Sequence, residues 1–373
     1  MRCEEFYYLL QKNGISFFAG VPDSLLKEFI TYVADHSQGN NHIITANEGG
    51  AIALAAGHYL ASGKPGLVYM QNSGEGNAIN PLASLADPDV YSIPMLLLIG
   101  WRGEPGGVND EPQHKKQGKI TLKLLETLDI PYKILQKTTK PADAIVKIAC
   151  RSMRTRSAPY ALVVKQGTFE KYVSKKKNKS QFTLSREEAL EIILSELGRN
   201  DVVISTTGKT SRELFELRKK RREGHTSDFL AVGSMGHASH IALGVAISRL
   251  RRNVFCFDGD GALIMHMGAL VINGTRGTRN FKHVVFNNGS HESVGGQPTA
   301  GFLIDIPAIA RSCGYKSVMT SRGTNDLRKK FRLLKKITGP ALLEVKVRTS
   351  SRPDLGRPTL KPQKMKREFM KFL

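Results

Sequence analysis

The sequence predicts an α/β protein made of two doubly wound, parallel-sheet domains. Short apolar runs alternate with helical patterns along almost the whole chain. The alternation stops at a lysine-rich stretch and restarts beyond it. The length, 373 residues, suits two domains at about 150 residues each. Continuous apolar strands spaced by helices imply βαβ units, with a sheet covered on both faces.

The elements follow in order. His42-Ile-Ile-Thr-Ala46 reads as a strand and Gly49 to Ser62 as a helix. Gly66 to Met70, Pro94 to Gly100 and Ala161 to Lys165 read as further strands. Lys171, Lys175, Lys176, Lys177 and Lys179 then mark a solvated linker. The expected division is a first domain over 1–172, a basic linker over 173–182 and a second domain over 183–373, with no third domain between. Ser185-Arg-Glu-Glu188 is a capping box that opens a helix over Ala189 to Leu197. Val202 to Ser205, Asn253 to Phe257, His283 to Phe286 and Ala341 to Val347 are strands, and Gly236 to Leu250 is a small-residue helix. Lys346 to Leu373 reads as a basic tail, surface-hugging or mobile.

Composition narrows the function. Hydrophobic residues at 40%, with 35 glycines, exclude a disordered or fibrous chain. Cys3, Cys150, Cys256 and Cys313 form no CxxC pair, so neither a zinc site nor a disulfide framework is indicated, and reduced thiols in a cytoplasmic protein are expected. The N-terminus lacks an apolar signal core, and the run from Ile93 to Ile99 is too short to span a bilayer. Lys+Arg number 55 against 33 Asp+Glu, a net charge of +22. Such a charge admits a polyanion or a small anionic substrate. Aromatic residues, at 7%, are not interleaved with the basic runs, which argues against nucleic acid.

The chemistry concentrates in the second half. Phe257-Asp-Gly-Asp-Gly-Ala262 ends a strand in glycines, and Asn287-Asn-Gly-Ser290 ends the next. Neighbouring parallel strands therefore carry a carboxylate and a carboxamide at their C-terminal ends, the edge where open α/β sheets bind ligands. An all-oxygen set with few protein ligands suits Mg²⁺ completed by water or phosphate oxygens. The glycines Gly259 and Gly261 allow close backbone approach to a diphosphate.

With that spacing the segment resembles the thiamine-diphosphate/Mg²⁺ motif of the thiamine-diphosphate-dependent decarboxylases. The resemblance implies Asp260, Asn288 and the Ser290 carbonyl as metal ligands, and Gly259, Gly261 and Ala262 beside the cofactor. Ile44-Thr-Ala-Asn-Glu48-Gly-Gly-Ala resembles the family's pyrimidine-domain motif. Glu48 would then hydrogen-bond the aminopyrimidine ring and favour its imino tautomer. The domain order agrees: a pyrimidine-binding domain precedes a diphosphate-binding one.

Further strings point to the short, two-domain members that act on 2-keto acids bearing a phosphonate or sulfonate. They are Gly20-Val-Pro-Asp-Ser-Leu-Leu-Lys27, Asp110-Glu-Pro-Gln-His114, Ser205-Thr-Thr-Gly-Lys-Thr-Ser-Arg-Glu-Leu214, Gly233-Ser-Met-Gly-His-Ala238 and the stretch from Asn287 to Thr299. The implied substrate is 3-phosphonopyruvate, with 3-sulfopyruvate as the alternative. By position, Thr206, Thr207 and Gly208 would meet the diphosphate. Met235 would wedge under the cofactor, and the Gly233 carbonyl would accept from its amino group. Asp23 and His114, and with less support His291, are the expected acid/base groups. Lys209 and Arg212, then Arg102, are candidates for the substrate's phosphonate. The family's sites lie between subunits, so a homodimer or tetramer is expected.

Overall fold

The structure is a computed structural model that describes residues 1–107, 110–174 and 180–373. The linker lysines Lys175, Lys176, Lys177 and Lys179 lie outside the described residues. The chain divides into two compact units, Met1–Lys177 and Asn178–Leu373.

The first unit runs α1 (Cys3–Lys12), β1 (Phe18–Gly20), α2 (Lys27–His36), β2 (His42–Ile44), α3 (Glu48–Ser62), β3 (Leu67–Gln71), α4 (Glu75–Ser84), β4 (Leu96–Gly100), α5 (Pro112–Thr127), β5 (Tyr132–Ile134), α6 (Thr139–Arg156) and β6 (Tyr160–Val164). The second runs α7 (Arg186–Glu196), β7 (Val202–Ser205), α8 (Lys209–Lys220), β8 (Asp228–Leu230), α9 (Ala238–Ser248), β9 (Val254–Gly259), α10 (Asp260–Met265), α11 (Ala269–Arg276), β10 (Phe281–Asn287), α12 (Ile306–Ser312), β11 (Ser317–Ser321), α13 (Thr324–Lys336), β12 (Ala341–Lys346) and α14 (Pro362–Phe372).

Each unit holds one six-stranded sheet, in the orders β2-β1-β3-β4-β6-β5 and β8-β7-β9-β10-β12-β11. Every strand pairing is parallel. Counted within its own unit, the strand order is the same in both. Alternation along each strand explains why both faces are covered. Leu96 and Leu98 of β4 enter one core of the first unit, and Leu97 enters the other together with Ile99. In the second unit Phe255 and Phe257 of β9 face one core, while Val254 and Cys256 face the other. Each such side chain, wholly out of water, contributes about 1.5–3 kcal/mol.

Local chemistry sets several boundaries. The Ser185–Glu188 capping box forms in full, with the Ser185 hydroxyl oxygen accepting from the Glu188 N–H and the Glu188 carboxylate from the Ser185 N–H. The short strands β1, β5, β8 and β11 were not expected from sequence. Three have only three residues, too few to show a pattern. The C-terminal stretch differs from a mobile tail. It ends in α14, an amphipathic helix whose Met365 and Phe369 are buried at 3% and 4% exposure in the two cores of the second unit. No helix among the described residues is long and apolar enough to cross a membrane.

One basic run hides a buried ion pair. Arg218, in the last turn of α8, sends Nε and Nη2 to the two oxygens of Asp228, each at 2.9 Å. Asp228 is fully buried, so removing its partner leaves an uncompensated charge. Arg218→Met should cost about 3–5 kcal/mol in urea unfolding. Adding Asp228→Leu should recover most of that loss; a double variant as unstable as the single one would contradict the account.

Candidate active site

In a doubly wound sheet, ligands bind beyond the strand C-termini where the strand order reverses. That point falls between β1 and β3 in the first unit and between β7 and β9 in the second. The candidate residues of each unit cluster in the loops that follow these strands and their neighbours.

In the second unit Asp260 begins α10 directly after β9, at 2% exposure. Its carboxylate accepts from the Asn288 N–H at 3.3 Å and from the Thr299 hydroxyl. Burial pushes its carboxyl up to about 6, against those two hydrogen bonds. Among the described residues it forms no ion pair. Gly301 closes the other side: a Cβ there would come within 2.6 Å of Asp260 Oδ2 and of Asn287 Oδ1. The two asparagines after β10 divide their roles. Asn287 is wholly buried and donates to the Gly301 carbonyl at 2.6 Å and to Glu344 at 2.7 Å. Asn288 sits against Asp260, and its amide Nδ2 donates to Glu292 at 3.2 Å.

The same corner gathers the other candidates. Thr206, after β7, has a buried hydroxyl with no hydrogen-bond partner. Gly208 adopts φ +97°, a conformation that favours glycine, and a Cβ there would stand 3.8 Å from Ser293 of the loop after β10. Thr207 accepts from the Gly233 N–H at 3.2 Å, tying the loop after β7 to the loop after β8. Met235 lies on that second loop between Ser234 at φ +48° and Gly236 at φ +85°; it is half-buried and belongs to neither core of the unit. A Cβ on Gly261 would stand 3.1 Å from the His291 ring. Burial lowers His291 to about 4, so its imidazole is neutral at physiological pH. Lys209, half-buried at the start of α8, is shifted down by desolvation, with Glu292 opposing.

These groups suit Mg²⁺ and a diphosphate. Asp260 is a buried carboxylate with no lysine or arginine paired to it among the described residues, beside an asparagine and a turn backbone that offer further oxygens. The orphaned Thr206 hydroxyl and the open Gly208 and Gly259 give a diphosphate donors and room.

In the first unit Glu48 opens α3 directly after the loop following β2, at 4% exposure. Asn47 caps that helix through a 2.9 Å bond from the Gly50 N–H. Asn77 Nδ2 donates to Glu48 Oε2 at 2.7 Å, and Gly74 packs so closely on Oε1 that a Cβ would collide with it. Burial raises the Glu48 carboxyl, with the Asn77 bond opposing. Asp23, after β1, is fully buried and accepts from Gln71 Nε2 at 2.7 Å and from the Leu25 N–H at 3.0 Å. It too is raised by burial. His114, in the first turn of α5, meets Asp110 at 2.9 Å through Nδ1. Arg102 was a candidate for the substrate's phosphonate. Its guanidinium is committed instead: a fork onto Asp110 at 2.7 and 2.5 Å and a 2.7 Å bond to Ser24.

Sequence reasoning missed Asn77, Asp110, Glu292, Thr299 and Gly301. Asp110 and Glu292 stood inside strings already singled out, but nothing in a spacing shows which side chain a carboxylate will face. It also missed Glu75. This carboxyl is 6% exposed, its Oε1 lacks a hydrogen-bond partner, and burial pushes it up to about 8 from 4.5.

Two measurements test these environments. Gly301→Ala should weaken Mg²⁺-dependent binding of thiamine diphosphate by about 10–100-fold; unchanged affinity would remove Gly301 from the cradle. A carboxyl raised in the folded state favours folding below its unfolded value and loses that contribution as pH climbs through about 8. Glu75→Gln should therefore gain melting temperature relative to the parent, by about 3 °C more at pH 9 than at pH 5. A pH-independent difference would contradict the burial account.

Comparison with known proteins agrees with the geometry. Residues 4–121 match the family model for the thiamine pyrophosphate enzyme N-terminal TPP binding domain, and residues 206–345 match its C-terminal TPP binding domain. The chain is 36% identical to a phosphonopyruvate decarboxylase of Streptomyces viridochromogenes, over 96% of this chain and 92% of that protein. It is 34% identical to one of Streptomyces hygroscopicus, over 96% and 90%. A sulfopyruvate decarboxylase of Methanosarcina acetivorans is 26% identical over 90% and 89%. Two domain matches, one in each unit, and full-length likeness above 30%, place this chain in the thiamine pyrophosphate enzymes, in the family of the phosphonopyruvate decarboxylases.

Proposed function

We propose that this chain decarboxylates 3-phosphonopyruvate to phosphonoacetaldehyde and CO₂, using thiamine diphosphate and Mg²⁺. The observation that carries the reading is the buried Asp260 beside Asn288, which pairs with no lysine or arginine among the described residues, in a chain whose full-length relatives are named for that reaction. Asp260, Asn288 and the Ser290 carbonyl would hold the metal. Thr206, Thr207, Gly208, Gly233, Gly259, Gly261 and Ala262 would line the diphosphate and its ring, with Met235 beneath. When bound, thiamine diphosphate supplies the electron sink that loss of CO₂ requires.

The chain's own groups bind, orient and move protons. Glu48, raised by burial and fixed by Asn77, is suited to carry a proton and share it with a ring nitrogen. Asp23, raised by burial, is suited to carry a proton, and His114 is assigned as its partner in proton transfer. His291 is neutral and is assigned to shaping the Gly261 loop. With Arg102 committed to Asp110 and Ser24, Lys209 and Arg212 are the candidates for the phosphonate.

The reading assigns 1–172 to the pyrimidine, 173–182 to the linker and 183–373 to the diphosphate. The resemblance to the family, whose sites lie between subunits, supports a homodimer or tetramer in which Glu48 of one subunit and Asp260 of another serve the same cofactor. The four unpaired thiols support a cytoplasmic setting. The sulfonate substrate is the second reading, favoured by the 26% identical relative.

Glu48→Gln should keep cofactor affinity and lose turnover by at least about 100-fold; parental turnover would refute its role. Asp260→Ala should abolish Mg²⁺-dependent cofactor binding in calorimetry. CO₂ release should be faster with phosphonopyruvate than with sulfopyruvate or pyruvate; the reverse order would favour the second reading.

A further inference from the structure

Asp110 collects more donors than any expected catalytic group in the first unit. Oδ1 accepts from Arg102 Nη2 at 2.5 Å, the Glu111 N–H at 2.7 Å and His114 Nδ1 at 2.9 Å. Oδ2 accepts from Arg102 Nε at 2.7 Å and the Gly103 N–H at 3.0 Å. The side chain is 13% exposed. Burial pushes this carboxyl up, but the bonds from Arg102 and His114 outweigh it and hold it well below the usual carboxylate range. An ionised carboxylate only accepts hydrogen bonds. The hydrogen it meets on the His114 ring must therefore be on Nδ1, which leaves Nε2 as the nitrogen available for proton exchange.

The same carboxylate anchors Arg102, whose remaining fork reaches Ser24 at 2.7 Å. Ser24 adjoins Asp23, and the Arg102 charge acts on Asp23. One anion thus fixes the neighbours of both expected proton carriers.

We propose that Asp110 is a positioning residue that holds His114 in its Nδ1–H tautomer, with Nε2 free to exchange protons, and anchors Arg102 toward Asp23. The proposal rests on the reading that His114 acts in the decarboxylation. No group transfer is added; the exchange is one proton at Nε2.

The test uses full-length protein labelled with ¹⁵N-histidine and long-range ¹H–¹⁵N spectra. His114→Gln identifies the His114 signal. The parent should show Nδ1 protonated. Asp110→Asn should shift His114 toward the other tautomer and lower kcat about 10–100-fold, with KM little changed. Arg102→Gln should leave the tautomer in place.

An unchanged His114 signal in Asp110→Asn overturns the proposal, as does an equal change in Arg102→Gln, which would mark a general disturbance. Should Asp110→Asn fail to fold, the parental spectrum decides, and an Nε2–H ring there overturns the proposal. Full turnover in His114→Gln, with the tautomer shift intact, refutes the catalytic reading of His114 and leaves the positioning standing.

Discussion

The second unit is organised around keeping the Asp260 carboxyl out of water. A carboxyl at 2% exposure without an ion pair is costly unless hydrogen bonds and, eventually, a cation compensate. Everything near it serves that need. The Asn288 N–H and the Thr299 hydroxyl donate to it, Gly301 makes room for it, and Asn287 holds Gly301 through its carbonyl. The Asn287 amide in turn reaches Glu344 on β12, which pairs with Lys346 at 2.6 Å. The arrangement is cross-linked by these hydrogen bonds, and pre-organisation of this kind shortens the reorganisation that binding requires.

The first unit makes a different use of burial. Among its described residues no metal-like set stands at the ends of β1 and β3; the acids there and after β2 are raised by desolvation, namely Asp23, Glu48 and Glu75. Burial favours the protonated form of these carboxyls, while Asp110 in the same unit is kept anionic by Arg102 and His114. Carboxyls driven in opposite directions within one site are the usual sign that proton donors and fixed counter-charges have been separated. On the proposed function, the first unit would handle protons and the second a divalent cation and phosphate oxygens.

Much of this was legible in the sequence. Continuous apolar runs marked the central strands β3, β4, β6, β9 and β10, because a strand buried on both faces leaves an unbroken signal. The capping box at Ser185 marked the start of the second unit's first helix. The placement of Asp260 and Asn288 at the ends of neighbouring strands was legible because their spacing leaves room for one return across the sheet, which α10, α11 and β10 fill. Edge strands such as β5 and β8 were not, since three residues carry no period. The roles of Asp110, Asn77 and Thr299 were invisible for another reason. Their importance lies in which atom each faces, and loop geometry decides that. Arg102 shows the converse. Its charge was visible, but its partner Asp110 is eight residues away, and only the fold brings the two together.

The +22 charge is partly internal bookkeeping between neighbours. Arg186, Arg218 and Arg352 are each bonded to two or more carboxylates. The repeated strand order carries a wider meaning. The C-terminal ends of the first, second, third and fourth strands, with the segments that follow them, hold Asp23, Glu48, Gln71 and Arg102 in one unit, and Thr206, Met235, Asp260 and Asn288 in the other. One sheet plan appearing twice in a single polypeptide is the arrangement that tandem duplication of an ancestral segment produces. On that view each copy kept its four loop positions and changed only the chemistry installed at them.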